Sequence, residues 1–562
     1  MHPTQRILVR SILAFLTVSL SLPLIPQAAF AVPTINLISP KSGSSSGSPV
    51  FYEATATTTC AKGISSMTVY SAPGVVADTV PGAHIEDFLK LNPGSYSTVV
   101  QADDNCGGVA KTPVAITVSS GAGVSVFLPN AASAYSPVHF AASAQNPACP
   151  AGIAAMRIYT SWGYTPYTVE SGQLDAFVVL QASTYDATMQ AWDNCGNVFK
   201  TNFQIASNGG DSDSRLYSTS EGGVISEFNV SSNGTLSNPN GSGNPPQFQS
   251  GTGGNTFSID PGGQFAYTVA KNGVYGYQIN PATGALTPAP YSPVTGLTDP
   301  NFAYAEPSGN FLFVISDNTL LNSFQIYRST GYLSPTAAQT PGPTLTTLTT
   351  DPYGKYLYVG TNTGQVYGYS VNPVNGILTP VPGSPFGPAA TNIFALQAAY
   401  QYLYVGEVTA TGPQIYAYLI QPNSGYLTPV SGSPYAAPDN FIGSQAILAD
   451  WLTRYLWMSA QAPGQGNGGN SFWFYDIYGY TGSMTGLSEI STGDTNVSYL
   501  AEGHAANVVY SAGITCGPLT CEPGKVNSWV VNGSGQLEHL SGPLPTGTPI
   551  ATGIAVERAN PQ

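Results

Sequence analysis

Short stretches in which apolar and polar residues alternate run along most of the chain, separated by clusters of Gly, Pro, Asn and Asp. A period of two puts one set of side chains on one face of an extended segment, so these stretches predict half-buried β-strands. Tyr96-Ser-Thr-Val-Val-Gln-Ala102 and Met156-Arg-Ile-Tyr159 are clear instances. From Arg215 onward the alternating residue is commonly aromatic, as in Tyr356-Leu-Tyr358, Tyr402-Leu-Tyr404 and Tyr416-Ala-Tyr418. That pattern sets rings on one face of a strand, where a neighbouring sheet can bury them. Only the first 31 residues depart from it: Arg6 and Arg10, an apolar run from Ser11 to Leu24, then Ala29-Phe30-Ala31. Positive start, apolar centre and small-x-small end predict a secretory leader. Pro23 and Pro26 interrupt a run already short for a membrane span.

The strand pattern repeats with two different periods. Cys60 and Cys149 are 89 residues apart, as are Cys106 and Cys195. Their flanks match at the same offset. Gly63-Ile-Ser-Ser-Met-Thr-Val-Tyr70 lies over Gly152-Ile-Ala-Ala-Met-Arg-Ile-Tyr159, and Gln101-Ala-Asp-Asp-Asn-Cys-Gly107 over Gln190-Ala-Trp-Asp-Asn-Cys-Gly196. Residues 32–120 and 121–209 therefore read as two copies of one all-β domain of the size of a two-sheet sandwich. One cysteine near the front and one near the back of each copy suit a disulfide in an exported chain, with free buried thiols as the alternative. Neither copy holds a Cys-x-x-Cys or clustered histidines, so no metal is expected.

From 210 to 562 a longer period takes over. Asp351-Pro-Tyr-Gly-Lys-Tyr-Leu-Tyr-Val-Gly360 leads through Gly364-Gln-Val-Tyr-Gly-Tyr-Ser-Val-Asn-Pro373 to Asn375-Gly-Ile-Leu-Thr-Pro380. The equivalent apolar residue after the last turn of each unit is Leu236, Leu286, Leu333, Leu378, Leu427, Met484 and Leu537. Units of this length with four strand signals predict propeller blades. The first unit supplies only three outer strands, and the chain ends in Ile550-Ala-Thr-Gly-Ile-Ala-Val556. That last segment is expected to be the innermost strand of blade one, closing a ring of seven and leaving no free edge. The fold class expected is all-β: two tandem immunoglobulin-like sandwiches, then a seven-bladed propeller closed by a C-terminal strand.

Composition agrees and narrows the function. Gly 62 and Pro 46 supply the turns, and 42% hydrophobic residues exclude a disordered chain. The net charge of −14 comes from 29 acids against 15 scattered Lys and Arg, without the basic stripe that nucleic acid requires. No later stretch is apolar enough to span a bilayer.

The sandwich repeats resemble bacterial immunoglobulin-like modules, which implies spacer or adhesive roles. Residues 215–562 resemble the lactonase-type seven-bladed propellers, the family of 6-phosphogluconolactonase and muconate cycloisomerases. The Asp/Glu-Pro-x-Gly-x-(Phe/Tyr)-x-(Tyr/Phe)-Val segments and Asn-Pro-x-x-Gly-x-Leu-Thr-Pro turns carry that likeness. The resemblance implies a Gly-Pro-Arg-His run on an inner strand and an acid about fifteen residues on. The matching stretch here is Asp299-Pro-Asn-Phe302 with Asp317, so Asn301 and Phe302 replace the guanidinium and the imidazole.

A site is therefore expected at the channel mouth, among the loops joining second and third strands. Glu221, Lys271, Asp317, Asn362, Glu407 and Gln461 are the candidate ligand-binding ring, and Trp473 and Tyr475 are candidates for stacking on a sugar. The last blades carry longer loops, including Ala460–Asn470 and the segment from Cys516 to Cys521, which a third disulfide would close. No catalytic residue, metal or cofactor is expected. The reading is an exported protein that binds a protein or carbohydrate at the propeller face, with a divergent lactone hydrolase or cycloisomerase as the alternative.

Overall fold

The computed structural model describes residues 32–160, 167–253, 256–387, 392–409, 412–437, 447–450, 453–460, 471–479, 481–491, 496–504, 507–514, 524–548 and 551–559. The leader expected over 1–31, the candidate Gln461 and the pair Cys516 and Cys521 lie outside these residues. Every regular element among the described residues is a β-strand, and none is a helix that could cross a membrane.

Each N-terminal repeat folds as a three-stranded sheet facing a five-stranded one. In the first, the small sheet is Thr34–Ser39, Val50–Thr57 and His84–Leu89, and in the second it is Gly123–Leu128, Val138–Gln145 and Gln173–Val178. Alternation decides which residues enter the core. Ile85 packs inside the first sandwich with Phe51, Met67 and Val100, so His84 and Glu86, one step either side, face outward. Disulfides Cys60–Cys106 and Cys149–Cys195 staple the equivalent turns of both copies. Asp104 and Asp193 shape those turns by accepting backbone N–H bonds from Cys106 and Gly108, and from Cys195 and Asn197, at 2.7–2.9 Å.

Seven antiparallel sheets then form a closed propeller. Its inner strands, in blade order, are Ala551–Arg558, Phe257–Ile259, Phe302–Ala305, Leu345–Thr350, Asn392–Ala399, Ile447–Ala449 and Asn496–Glu502. Blade one takes its inner strand from the C-terminus, paired antiparallel to Asp213–Ser220, which is the closure the final apolar segment implied. All seven residues from Leu236 to Leu537 named above lie in outermost strands and are buried.

The aromatic alternation joins the blades. Tyr217, Tyr267, Tyr358, Tyr404 and Trp457 occupy one position of the second strands of blades one, two, four, five and six, and are fully buried. Each donates its polar hydrogen to a glycine carbonyl in the outer turn of the next blade: Gly284, Gly331, Gly425, Gly482 and Gly535, at 2.7–3.4 Å. A buried ring thus satisfies its own polar handle and a turn carbonyl together. The acid of each Asp/Glu-Pro-x-Gly segment is likewise structural. Asp260, Glu306 and Asp351 accept the backbone N–H groups of their own turn, from Phe265, Asn310 and Tyr356 among others, at 2.6–2.8 Å.

Both sandwiches dock on the turn at the outer end of blade three. Arg328 bonds Glu86 of the first sandwich at 3.2 Å and Asp175 of the second at 3.0 Å. Glu86 and Asp175 stand at equivalent positions of the duplicated sequence. Arg328 also stacks over Phe177 at 4.5 Å, while Ser329 Oγ donates to the Glu86 carbonyl at 2.6 Å. Phe177 N donates to the Ser308 carbonyl at 3.1 Å.

Candidate functional site

The inner strands converge on a central channel of about 900 Å³. Its lining is set by strand geometry: each inner strand presents the starts, middles and ends of an extended segment to the axis. At the mouth where inner strands begin, the lining comprises Asn301, Phe302, Asn318, Thr344 and Asn392. Asn301 Nδ2 donates to Asn318 Oδ1, fixing both amides on the rim. Deeper in are Ser258, Tyr304, Thr347, Phe394 and Tyr499. Among the described lining residues there is no Lys or Arg.

The opposite end is covered. Val179 and Gln181 of the second sandwich face the inner-strand ends at Pro307, Gln397–Tyr400, Ala449 and Glu502, around a smaller cavity of about 180 Å³.

The titratable lining residues Glu502 and His504 lie toward that covered end. His504 Nδ1 is 2.9 Å from Asp213 Oδ1, and the same oxygen accepts the His504 backbone N–H at 2.9 Å. Asp213 Oδ2 accepts the Tyr510 hydroxyl at 2.7 Å. Burial and the Asp213 charge push the Tyr510 phenol well above its ordinary range, so it stays a donor. A carboxylate accepts only, so Nδ1 carries the hydrogen and Nε2 is left as the second nitrogen of a partly exposed ring. This is the geometry of an oriented general base.

The candidate ring distributes differently from its expectation of one convergent set. Glu221, Lys271, Asp317 and Asn362 occupy exposed turns after the second strands of blades one to four. Their backbone groups tie those turns to neighbouring loops, as in Asp317 N to the Thr298 carbonyl at 2.7 Å and Asn362 N to Thr344 at 2.9 Å. Glu407 is instead inside the strand Tyr402–Thr409, opposite Gln414, and is 1% exposed. It sits deeper because that strand runs on to Thr409, past the point where blades two to four turn. None of these five is among the channel-lining residues; Asn318, the neighbour of Asp317, is. Tyr475 is buried between blades, its hydroxyl on the Ala436 carbonyl, and Trp473 packs against the same cluster. Neither is presented for stacking on a sugar.

Asn301 and Phe302 do reach the channel, where the resemblance put the Arg-His pair. Asp213 with His504 was not legible in the sequence, because 291 residues separate them and only ring closure brings them together. The aromatic lining carried a usable signal, since Phe302 and Tyr304 alternate on one strand.

Residues 265–372 match the family model described as Lactonase, 7-bladed beta-propeller. A candidate 6-phosphogluconolactonase from Bacteroides fragilis is 16% identical, with a TM-score of 0.49, over 62% of this chain and 98% of its own. A periplasmic gluconolactonase from Pseudomonas aeruginosa is 14% identical, with a TM-score of 0.49, over 61% of this chain and 99% of its own. No curated protein matches the chain.

Proposed function

We propose, on the premise of a lactonase-type propeller, that this is an exported recognition protein whose channel mouth takes a neutral carbohydrate. The observation that carries this reading is the mouth itself. Amides and hydroxyls of Asn301, Asn318, Thr344 and Asn392 stand beside Phe302 and Tyr304, with no cation among the described lining residues. Hydroxyl-rich, uncharged rings are matched by such a mix of fixed hydrogen-bonding groups and aromatic faces. A phosphorylated sugar would call for converging Arg or Lys. The two disulfides suit an oxidising compartment, in keeping with the leader read in the sequence. The sandwiches then act as the mount that covers one end of the channel.

A glycan array followed by calorimetry on the full chain tests this. Binding of a neutral glycan, weakened at least tenfold by Asn301→Ala or Phe302→Ala at unchanged melting temperature, is the expected result. An array without hits, or affinity indifferent to both substitutions, sinks the reading.

The Asp213–His504 pair favours a second reading, hydrolysis of a neutral lactone. His504 Nε2 would take a proton from water as the oxygen attacks the lactone carbonyl, and the ring oxygen would leave with a proton as the ring opens. Turnover of a lactone panel should then fall 10²–10⁴-fold in His504→Ala, the range for a lost general base. Inertness of the wild-type chain toward the panel retires this reading.

A further inference from the structure

The junction between sandwiches and propeller buries a cluster of carboxylates and imidazoles. Glu53 and Glu86 are directly opposite each other in the small sheet of the first sandwich. They are 1% and 8% exposed. Like charges in a facing pair repel, and burial removes the water that would screen them. His84 is on the same strand as Glu86, two residues earlier and so on the same face, and is 2% exposed.

Hydrogen bonding fixes which way His84 points its lone pair. Its Nδ1 is 3.0 Å from the Arg328 carbonyl, which only accepts, so Nδ1 carries the hydrogen. Nε2 then faces Glu53 Oε1 at 3.9 Å and Glu86 Oε2 at 3.7 Å. His84 Nε2 and Glu53 Oε2 are both buried without a hydrogen-bond partner among the described residues. Across the junction His139 approaches the same Glu53. Its Nε2 is 2.7 Å from Asp175 Oδ1 and 2.9 Å from Arg328 Nη1, and its Nδ1 faces Glu53 Oε2 at 3.9 Å. His84 thus has its outer nitrogen held by an acceptor and its inner one turned toward Glu53 and Glu86, the way metal-ligating histidines are oriented, and His139 also turns a nitrogen toward Glu53.

Glu86 and Asp175 share the guanidinium of Arg328, while Glu53 faces the two imidazoles. We propose that one divalent transition-metal ion binds here, held by Glu53, His84 and Glu86, with His139 Nδ1 beside it. The separations of 3.7–3.9 Å are too long for hydrogen bonds. They lie a few tenths above the roughly 3.3–3.4 Å between ligand atoms of a tetrahedral ion with bonds of about 2.0–2.1 Å. Mixed carboxylate and imidazole donors suit Zn²⁺ or Mn²⁺ over the all-oxygen preference of Ca²⁺. Because His84 and Glu86 also grip Arg328 and its carbonyl, the ion would stiffen the joint that sets the propeller on its mount.

The test uses the full chain, stripped with a chelator and titrated with Zn²⁺ and, separately, Mn²⁺. One ion per chain and a rise in melting temperature are expected. Glu53→Gln and His84→Gln, each close in shape, should weaken binding at least tenfold and abolish the melting shift while keeping the near-ultraviolet dichroism. X-ray absorption of the zinc-loaded wild type adds a readout independent of the variants, with imidazole and carboxylate in the first shell expected. Wild type that binds neither ion, variants that bind as wild type, or a first shell of water or sulfur overturns the proposal.

Discussion

Glu557 has more acid around it than base. Its carboxylate accepts the Tyr217 hydroxyl at 3.4 Å, while the nearby Arg215 guanidinium is already bonded to Glu227 at 3.1 Å. Burial, aided by Glu227 and only partly opposed by Arg215, pushes Glu557 from its usual 4.5 up to about 8. The folded chain therefore holds a proton here that the unfolded chain releases above about 4.5. The stabilisation is complete below that value and is lost as pH rises through about 8, with a slope of up to about 1.4 kcal/mol per pH unit. Urea unfolding between pH 5 and 8 should show stability falling with pH, and Glu557→Gln should flatten this decline. At the channel the residue scale divides what is legible from what is not. Asn301 and Phe302 could be read as mouth residues because a motif placed them. Asp213 and His504 could not, since neither stands in a motif and their contact spans the whole propeller.

At the scale of elements the repeat is a chain of blade-to-blade fastenings. The Tyr358 hydroxyl donates to the Gly425 carbonyl at 2.8 Å. Gly425 has φ +70°, and a Cβ there would lie 2.5 Å from the Tyr356 ring. Tyr358→Phe deletes only the bond and should cost about 1 kcal/mol. Gly425→Ala adds left-handed strain and a collision between blades, so a larger loss of about 2–4 kcal/mol is expected. Chemical denaturation of both variants checks the order; equal losses would mean the turn is not pressed against the ring. The Tyr-x-Tyr rhythm announced rings buried between sheets. It did not announce that the same rings hold the next blade's turn, because the partner carbonyl lies 67 residues away.

On the scale of the whole molecule, closure decides stability. Ala551, Ile554 and Val556 pack with Leu216 and Tyr510, so the C-terminal strand seals blade one against blade seven. Ending the chain before Ala551 would bare both that apolar cluster and the edge of Asp213–Ser220. Such a truncation should lose the single cooperative melt and elute as aggregates on gel filtration; a monomer melting as the full chain does would refute the closure argument. Strand pattern, the 89-residue duplication and the seven-fold count are properties of neighbouring residues and of regular spacing, so the sequence by itself determined the all-β class, the repeats and the closing strand. Side chains meeting across those units obey no spacing. Only the tertiary structure decided that the second sandwich covers one end of the channel. It alone joined Asp213 to His504 and gathered Glu53, His84, Glu86, His139, Asp175 and Arg328 at one junction. Backbone periodicity is local, whereas a site is made by packing faces that the chain order keeps far apart.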